Sequence, residues 1–429
     1  MDIEVDFNEV CGSVRAVNGG NLGPKLHGRK ATPPTEKPFA DLRIPLTMLH
    51  DAPLDNPGCR LVDIQHVFGN FKADSGNPDN YYFLQTDDYI RNILDCGTEV
   101  VYRLGTSIEH SIRNYFTFPP EDFDHWTDVC LHIIRHYNRG WANGHEWGIR
   151  YWQIWNEPDG HPNMWAGPEE AYFELYEKAA KAIKKEFPEL KVGGPSTCKL
   201  AGWTENFTER FLTYCRDHEA PLDFFGWHCY SNTPERLMEE PARARELLDR
   251  YGFRDTALFL TEWRYIPEME NTRCDEFVRR MTDIESGAVN AAVLTAWQDT
   301  PLDMAFFYTT SILYNGIFTR RSEIQPGLYY PFRFFAQMLD HPHRVKTVCA
   351  KNHFCLAGSD GNGSGAMLVS VLNGSGSGPV SIAMSGAADG EVEVETSDGS
   401  RFSAAVQNGQ LGLERKTPFA VWRISSIRI

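Results

Sequence analysis

The sequence lacks three things: a basic surface, a cysteine pattern for metal, and an apolar run of membrane length. Its 429 residues carry 42 Lys and Arg against 58 Asp and Glu, a net charge of −16. Phosphate neutralisation needs clustered cations, and short groups such as Lys181 to Lys185 read as a solvated helix face, so no nucleic-acid partner is expected. No apolar run approaches the roughly 20 residues of a spanning helix, so no membrane partner is expected either. The opening Met1-Asp2-Ile3-Glu4-Val5-Asp6 is acidic and has no apolar signal core. The expectation is a soluble cytoplasmic protein, or an exported one whose leader has been removed. Ten cysteines are scattered without a Cys-x-x-Cys pair or zinc spacing, which suits buried free thiols in a reducing interior. His-Glu-x-x-His is missing, and no metal or cofactor is expected. There is also no internal repeat and no low-complexity linker that would separate independently moving domains.

What is present is an alternation of short apolar runs with longer amphipathic ones, from about residue 45 to residue 340. Such alternation is the mark of repeated β-α units. Eight strands are predicted: Val14 to Val17, Pro45 to Leu49, Glu99 to Leu104, Ile149 to Trp155, Leu190 to Gly194, Phe224 to Cys229, Leu258 to Thr261 and Ala291 to Trp297. Helices are predicted over Thr86 to Asp95, Glu121 to Arg139, Pro168 to Phe187, Glu205 to Glu219, Pro234 to Tyr251, Cys274 to Ser286 and Pro326 to Leu339. The reading is an α/β fold, a (β/α)8 TIM barrel over residues 14–343. Residues 1–13 and 344–429 are read as a small antiparallel β-sandwich, from Gly/Ser-rich turns and alternating runs such as Glu391-Val392-Glu393-Val394-Glu395. The excursion from Asp51 to Tyr82 after the second strand is long for a barrel loop, and such insertions usually build the substrate side.

Two strands end in carboxylates. Tyr151-Trp152-Gln153-Ile154-Trp155 runs into Asn156-Glu157-Pro158, and Ala257-Leu258-Phe259-Leu260-Thr261 runs into Glu262-Trp263. Proline cannot donate to a ladder, so Pro158 is read as the strand terminator that leaves Glu157 at the barrel mouth. Strand-end acids on one face of a barrel are the pattern of acid/base chemistry, and surface or salt-bridged acids are the bland alternative.

These residues resemble glycoside hydrolase family 39, the β-xylosidase and α-L-iduronidase family, within the clan of retaining TIM-barrel glycosidases. The resemblance rests on Asn156-Glu157-Pro158, Thr261-Glu262-Trp263, His228, Tyr230 and Trp297. It extends to Val17-Asn18-Gly19-Gly20-Asn21-Leu22-Gly23-Pro24 and Val101-Tyr102-Arg103-Leu104-Gly105. It implies double displacement, with Glu157 as acid/base and Glu262 as nucleophile. Asn156 would bind a sugar hydroxyl, Tyr230 would orient the nucleophile, and His228 would contact the sugar. His50 and Asp51, ending the second strand, are candidates for the hydroxyls of the nonreducing sugar, with Asn21 and His110 as weaker mouth positions. Trp297 is read as a stacking platform, with core packing as the competing reading. Arg103 is read as holding mouth acids in place. The chain departs from the family where an asparagine is frequent and Arg264 stands, and where Trp297-Gln298-Asp299 replaces Trp-Thr-x-Ser-Asp. Arg264 could bind a carboxylate or sulfate on an acidic sugar, or pair with Asp299 or Asp303.

The function expected is a retaining, β-xylosidase-like glycosidase acting on terminal sugars of an oligosaccharide or polysaccharide. The alternatives are another sugar (β-galactoside, α-L-arabinoside or uronide), a noncatalytic carbohydrate-binding barrel, and a metal hydrolase using His50, Asp51, Asp63, His66 or His228.

Overall fold

The structure, a computed structural model, describes residues 1–24, 35–49, 60–109, 112–268, 274–310, 316–319, 321–372, 374 and 376–429. The chain opens with β1 (Ile3–Ser13), where Ile3, Val5 and Phe7 bury one face as the two-residue period of a strand requires. Eight parallel strands then close a barrel: β2 (Asn18–Asn21), β3 (Leu46–Leu49), β4 (Glu99–Leu104), β5 (Tyr151–Ile154), β6 (Lys191–Thr197), β7 (Phe224–Ser231), β8 (Ala257–Tyr265) and β9 (Met304–Phe307). Closure is made by β2 against β9, with Asn18 opposite Ala305 and Gly20 opposite Phe307. Leu46, Met48, Val101, Phe224, Phe259, Met304 and Phe306 form one cluster, so the barrel interior is a packed core and not a pore.

The helices are α1 (Glu36–Ala40), α2 (Ile64–Val67), α3 (Leu84–Leu94), α4 (Phe123–Arg139), α5 (Glu169–Glu186), α6 (Phe207–Asp217), α7 (Pro234–Arg250), α8 (Cys274–Thr282), α9 (Ile284–Ala296) and α10 (Pro326–Met338). α4 shows how sequence makes them. Trp126, Cys130, Ile133, Ile134 and Tyr137 recur at helical spacing and are all buried. Asp122 caps the start by accepting the N–H groups of Asp124 and His125 at 2.9 and 3.0 Å. Gly140 ends it at φ 66°, a left-handed conformation that glycine adopts without a Cβ penalty.

Beyond the barrel lie β10 (His343–Cys349), β11 (His353–Ser359), β12 (Ser364–Val371), β13 (Gly378–Ser385), β14 (Gly390–Thr396), β15 (Arg401–Val406), β16 (Gln410–Arg415) and β17 (Ala420–Arg428). With β1 they form a nine-stranded sheet in the order β15-β14-β17-β12-β11-β10-β1-β13-β16. Its pairs are antiparallel except β1 with β13, and its inward residues make a separate apolar core. Among the described residues no helix is long and apolar enough to cross a membrane.

Two predicted strands need correction. The first barrel strand is Asn18–Asn21, four residues later than Val14 to Val17. The run Ala291 to Trp297 is not the eighth strand but the end of α9 and a following 3₁₀ turn, and the strand is Met304–Phe307. α9 is buried from Ser286 to Leu294 because it is sandwiched between barrel and sheet, where Ser370 Oγ donates to the Ala288 carbonyl at 2.7 Å. It also crosses α10 closely. A Cβ on Gly287 would stand 1.9 Å from the Gly327 carbonyl oxygen.

On α7, Glu240 is fully buried, with Arg236 at 3.0 Å and Arg243 at 3.7 Å. Burial pushes its carboxyl up to about 7, against the opposing pull of Arg236. A carboxyl raised on folding stabilises the fold fully below its ordinary value near 4.5, and that contribution fades as pH rises through about 7. At about 1.4 kcal/mol per pH unit the loss is of order 3–4 kcal/mol. Glu240→Gln is therefore expected to flatten the melting temperature between pH 4.5 and 7.5 and to raise it at pH 8. An unchanged pH profile would count against the assignment.

Candidate active site

β5 stops at Ile154, before the proline. Trp155 (φ 67°) and Glu157 (φ 46°) take left-handed backbone conformations, each a strain of about 1–3 kcal/mol that the surroundings must hold. This corrects the reading of Pro158 as the terminator: the turn begins three residues earlier. Trp155 N–H bonds the Leu104 carbonyl at 2.6 Å, Glu157 N–H bonds the Ser196 carbonyl at 2.9 Å, and the Trp155 indole bonds the Met164 carbonyl at 2.8 Å. Strand ends on both sides thus aim Glu157 over the mouth.

Three side chains converge there. His228, on β7 and fully buried, places Nδ1 2.8 Å from Glu157 Oε1 and 3.5 Å from Glu262 Oε2. The Glu157 side chain is 20% exposed and that of Glu262 7%, so the first is reachable from solvent and the second is enclosed. One donor atom from each of the three residues lies within 4.8 Å of the others. Tyr230, two residues along β7, donates its hydroxyl to Glu262 Oε2. The residue as a whole is 41% exposed, but its hydroxyl is turned onto Glu262. Burial first, and the Glu262 charge second, hold its phenol well above the ordinary range, so Tyr230 stays a donor.

The loop behind Glu157 is held by Asp159, which is buried and accepts the Cys198 N–H at 3.1 Å and also the Trp203 N–H. Burial raises its carboxyl, against the lowering by those two N–H groups. Cys198 is held far above the usual thiol range by burial, then by the charges of Glu157 and Asp159. It remains a neutral thiol. Asn156 is buried, its Oδ1 3.4 Å from Gln153 Nε2, and its Nδ2 has no protein partner among the described residues.

The other predicted residues are placed differently. Trp297 is fully buried, its ring edge-on to Trp263 at 4.8 Å and its Nε1 bonded to the Leu237 carbonyl at 3.0 Å. Sealed between Trp263 and the first turn of α7, with no exposed face, Trp297 is core and not a platform. Arg264 is also buried. It donates to the Tyr308 and Met281 carbonyls, both at 2.9 Å, and lies 5.0 Å over the Phe307 ring. Neither proposed acid holds it: Asp299 pairs with Arg344 and Asp303 accepts the Leu258 N–H. Arg103 pairs with Asp63 at 2.6 Å, and both are buried. Asn21 is buried and donates to the Thr261 and Phe306 carbonyls. His50, Asp51 and His110 lie outside the described residues. One mouth residue escaped the sequence reading. Tyr308, just beyond β9, faces the Tyr230 ring edge-on at 6.5 Å, and the run Met304-Ala305-Phe306-Phe307 was the signal that could have located it.

Donor atoms close enough to share a cation occur in two groups among the described residues, Glu157-His228-Glu262 at the mouth and Asp87-His136-His145 in the helical layer. In the second, His136 and His145 flank the Asp87 carboxylate at 3.1 and 3.3 Å, an arrangement that ion pairing alone accounts for.

Fold and site define a TIM-barrel protein with paired glutamates, one just after the fourth barrel strand and one on the seventh. The chain matches the model of glycosyl hydrolases family 39 over residues 60–266, just under half of its length. It is 28% identical over 166 residues to a β-xylosidase of Geobacillus stearothermophilus, covering 34% of this chain and 32% of that protein. It is also 28% identical over 213 residues to a β-xylosidase of Caldicellulosiruptor saccharolyticus, covering 44% and 41%. The matched segments thus span less than half the length of either relative. Among solved structures, a glucosidase from Croceicoccus marinus superposes with a TM-score of 0.79 at 21% identity, covering 99% of this chain and 98% of that one, which establishes the shared fold.

Proposed function

We propose that this protein is a retaining, β-xylosidase-like glycoside hydrolase that removes terminal sugars from oligosaccharides or polysaccharides. The observation that carries the reading is the approach of Glu157 and Glu262 oxygens to within 4.8 Å. Double displacement uses carboxyls about 5–5.5 Å apart, whereas inversion needs about 6.5–9.5 Å to admit a water. Glu262 attacks the anomeric carbon while Glu157 protonates the departing oxygen. Glu157, its carboxylate now free, then takes a proton from the water that releases the sugar. Tyr230 and His228 orient the two carboxylates, and the unpartnered Asn156 amide is offered to a sugar hydroxyl beside the reacting carbon. The names of the two matched relatives support xylose as the first sugar to try.

The same reading makes residues 14–343 the catalytic unit and residues 1–13 with 344–429 the accessory unit. The nine described cysteines, all free, support work in a reducing compartment.

The test is a panel of aryl glycosides (β-xyloside, β-galactoside, β-glucoside, α-L-arabinoside, α-L-iduronide) with the first-formed anomer followed by proton NMR. Retained configuration is expected for the cleaved member. Inversion would overturn double displacement, and silence across the panel would favour a binding-only barrel. A metal-assisted hydrolase is the second reading, because the same three donors would suit a cation. Loss of activity with a chelator and recovery with a divalent metal would favour it.

A further inference from the structure

A cleft of about 560 Å³ opens beside the mouth, with Trp155 and Gly105 on its floor. That volume is within the range, about 300–1,000 Å³, of pockets that enclose small organic ligands. Its walls carry Phe71 from the second-strand insertion and Tyr115, Phe116 and Phe118 from the loop after β4. Those three loop aromatics are 62%, 54% and 53% exposed, and a contiguous exposed aromatic patch marks a contact surface more often than a lone apolar residue does.

The patch is built. The Glu109 carboxylate accepts the N–H groups of Tyr115, Phe116 and Thr117 at 2.9–3.0 Å, which holds the backbone that displays the rings. Asn114 Nδ2 and Thr117 Oγ1 both donate to the Pro162 carbonyl at 3.1 Å, Glu109 N–H to the Asn163 carbonyl at 3.0 Å, and Ala166 N–H to the Thr117 carbonyl at 2.8 Å. The aromatic loop is therefore stapled to the very segment that follows Glu157, and the cleft floor is the residue two before it.

We infer that this cleft is a carbohydrate subsite for the leaving-group side of the substrate, taking the sugar rings that continue the chain beyond the bond to be cut. The inference rests on the role proposed for Glu157. An acid that protonates the departing oxygen stands over the leaving group, so a wall tied to its loop faces that side. Aromatic faces match the C–H faces of pyranose rings, and Asn70, which lines the cleft, offers its amide nitrogen to hydroxyls, while Gln65 Nε2 already donates to Asp63 and Thr106.

The experiment is calorimetric binding of oligosaccharides two to five units long to Glu262→Ala protein, with and without Tyr115→Ala, Phe116→Ala and Phe118→Ala together. The oligosaccharides are built on the sugar whose aryl glycoside the protein cleaves, and xylo-oligosaccharides are used if none is cleaved. Affinity is expected to rise with length, and the triple substitution to weaken the longer ligands about tenfold, roughly 1.4 kcal/mol. Phe116→Trp, which keeps an aromatic face, should preserve the length dependence, and melting curves separate misfolding from lost contact. Affinity independent of length and of the aromatics overturns the subsite, whatever the aryl panel shows. Length-dependent binding lost in the triple variant upholds it even if no aryl glycoside is cleaved, in which case only the catalytic reading fails. No binding of any oligosaccharide overturns it as well.

Discussion

Glu262→Ala is expected to lower turnover of the preferred aryl glycoside by about 10⁴-fold or more, since it removes the atom that forms the covalent intermediate. Glu262 is held by the Tyr230 hydroxyl and lies 3.5 Å from His228 Nδ1. Truncation empties a small, enclosed space in a fold that otherwise stands. Azide fits such a space and attacks the anomeric carbon from the face that Glu262 occupied. Rescue should therefore give a glycosyl azide of inverted configuration, detectable by NMR. Activity within tenfold of the parent, with no response to azide, would falsify Glu262 as nucleophile.

Glu157→Ala should behave differently, and the difference is diagnostic. With a poor leaving group, loss of the general acid is expected to cost about 10²–10⁴-fold. With a good leaving group such as dinitrophenolate the first step needs little protonation, so the intermediate should form and then accumulate for want of a base. A burst followed by slow turnover is the expected trace. Azide should speed the second step and give a glycosyl azide of retained configuration. The side chain is 20% exposed, so the anion has a path to the site. A loss independent of leaving group, without burst or rescue, would mean that Glu157 acts by positioning alone.

The two glutamates were legible because each follows a short, strongly apolar strand that could not hold a charge inside the sheet. The α-helices were legible for the same kind of reason: α4 and α5 repeat apolar residues at helical spacing and begin with acids or proline. α9 was not, because it is covered by barrel on one side and sheet on the other, and a segment buried all round has no polar face to reveal its period. That single ambiguity moved the eighth strand to Ala291, sent Trp297 to the mouth and hid Tyr308. Arg264 was open to several readings because its partners include the carbonyls of Met281 and Tyr308, and backbone acceptors leave no trace in side-chain composition. Trp155, likewise, turns the chain with φ 67°, which its residue type does not announce.

The sequence by itself determined the repeated β-α units, the acidic charge balance, the lack of an apolar run of spanning length, and the two strand-end carboxylates, since each depends on composition or on residues near one another along the chain. Only the tertiary structure decided which apolar run would close the barrel, that His228 would stand between Glu157 and Glu262, and that the loop of Tyr115 and Phe116 would be stapled to the segment after Glu157. Those relations join residues tens to more than a hundred positions apart. Barrel closure and close packing set them, and local spacing carries no record of either.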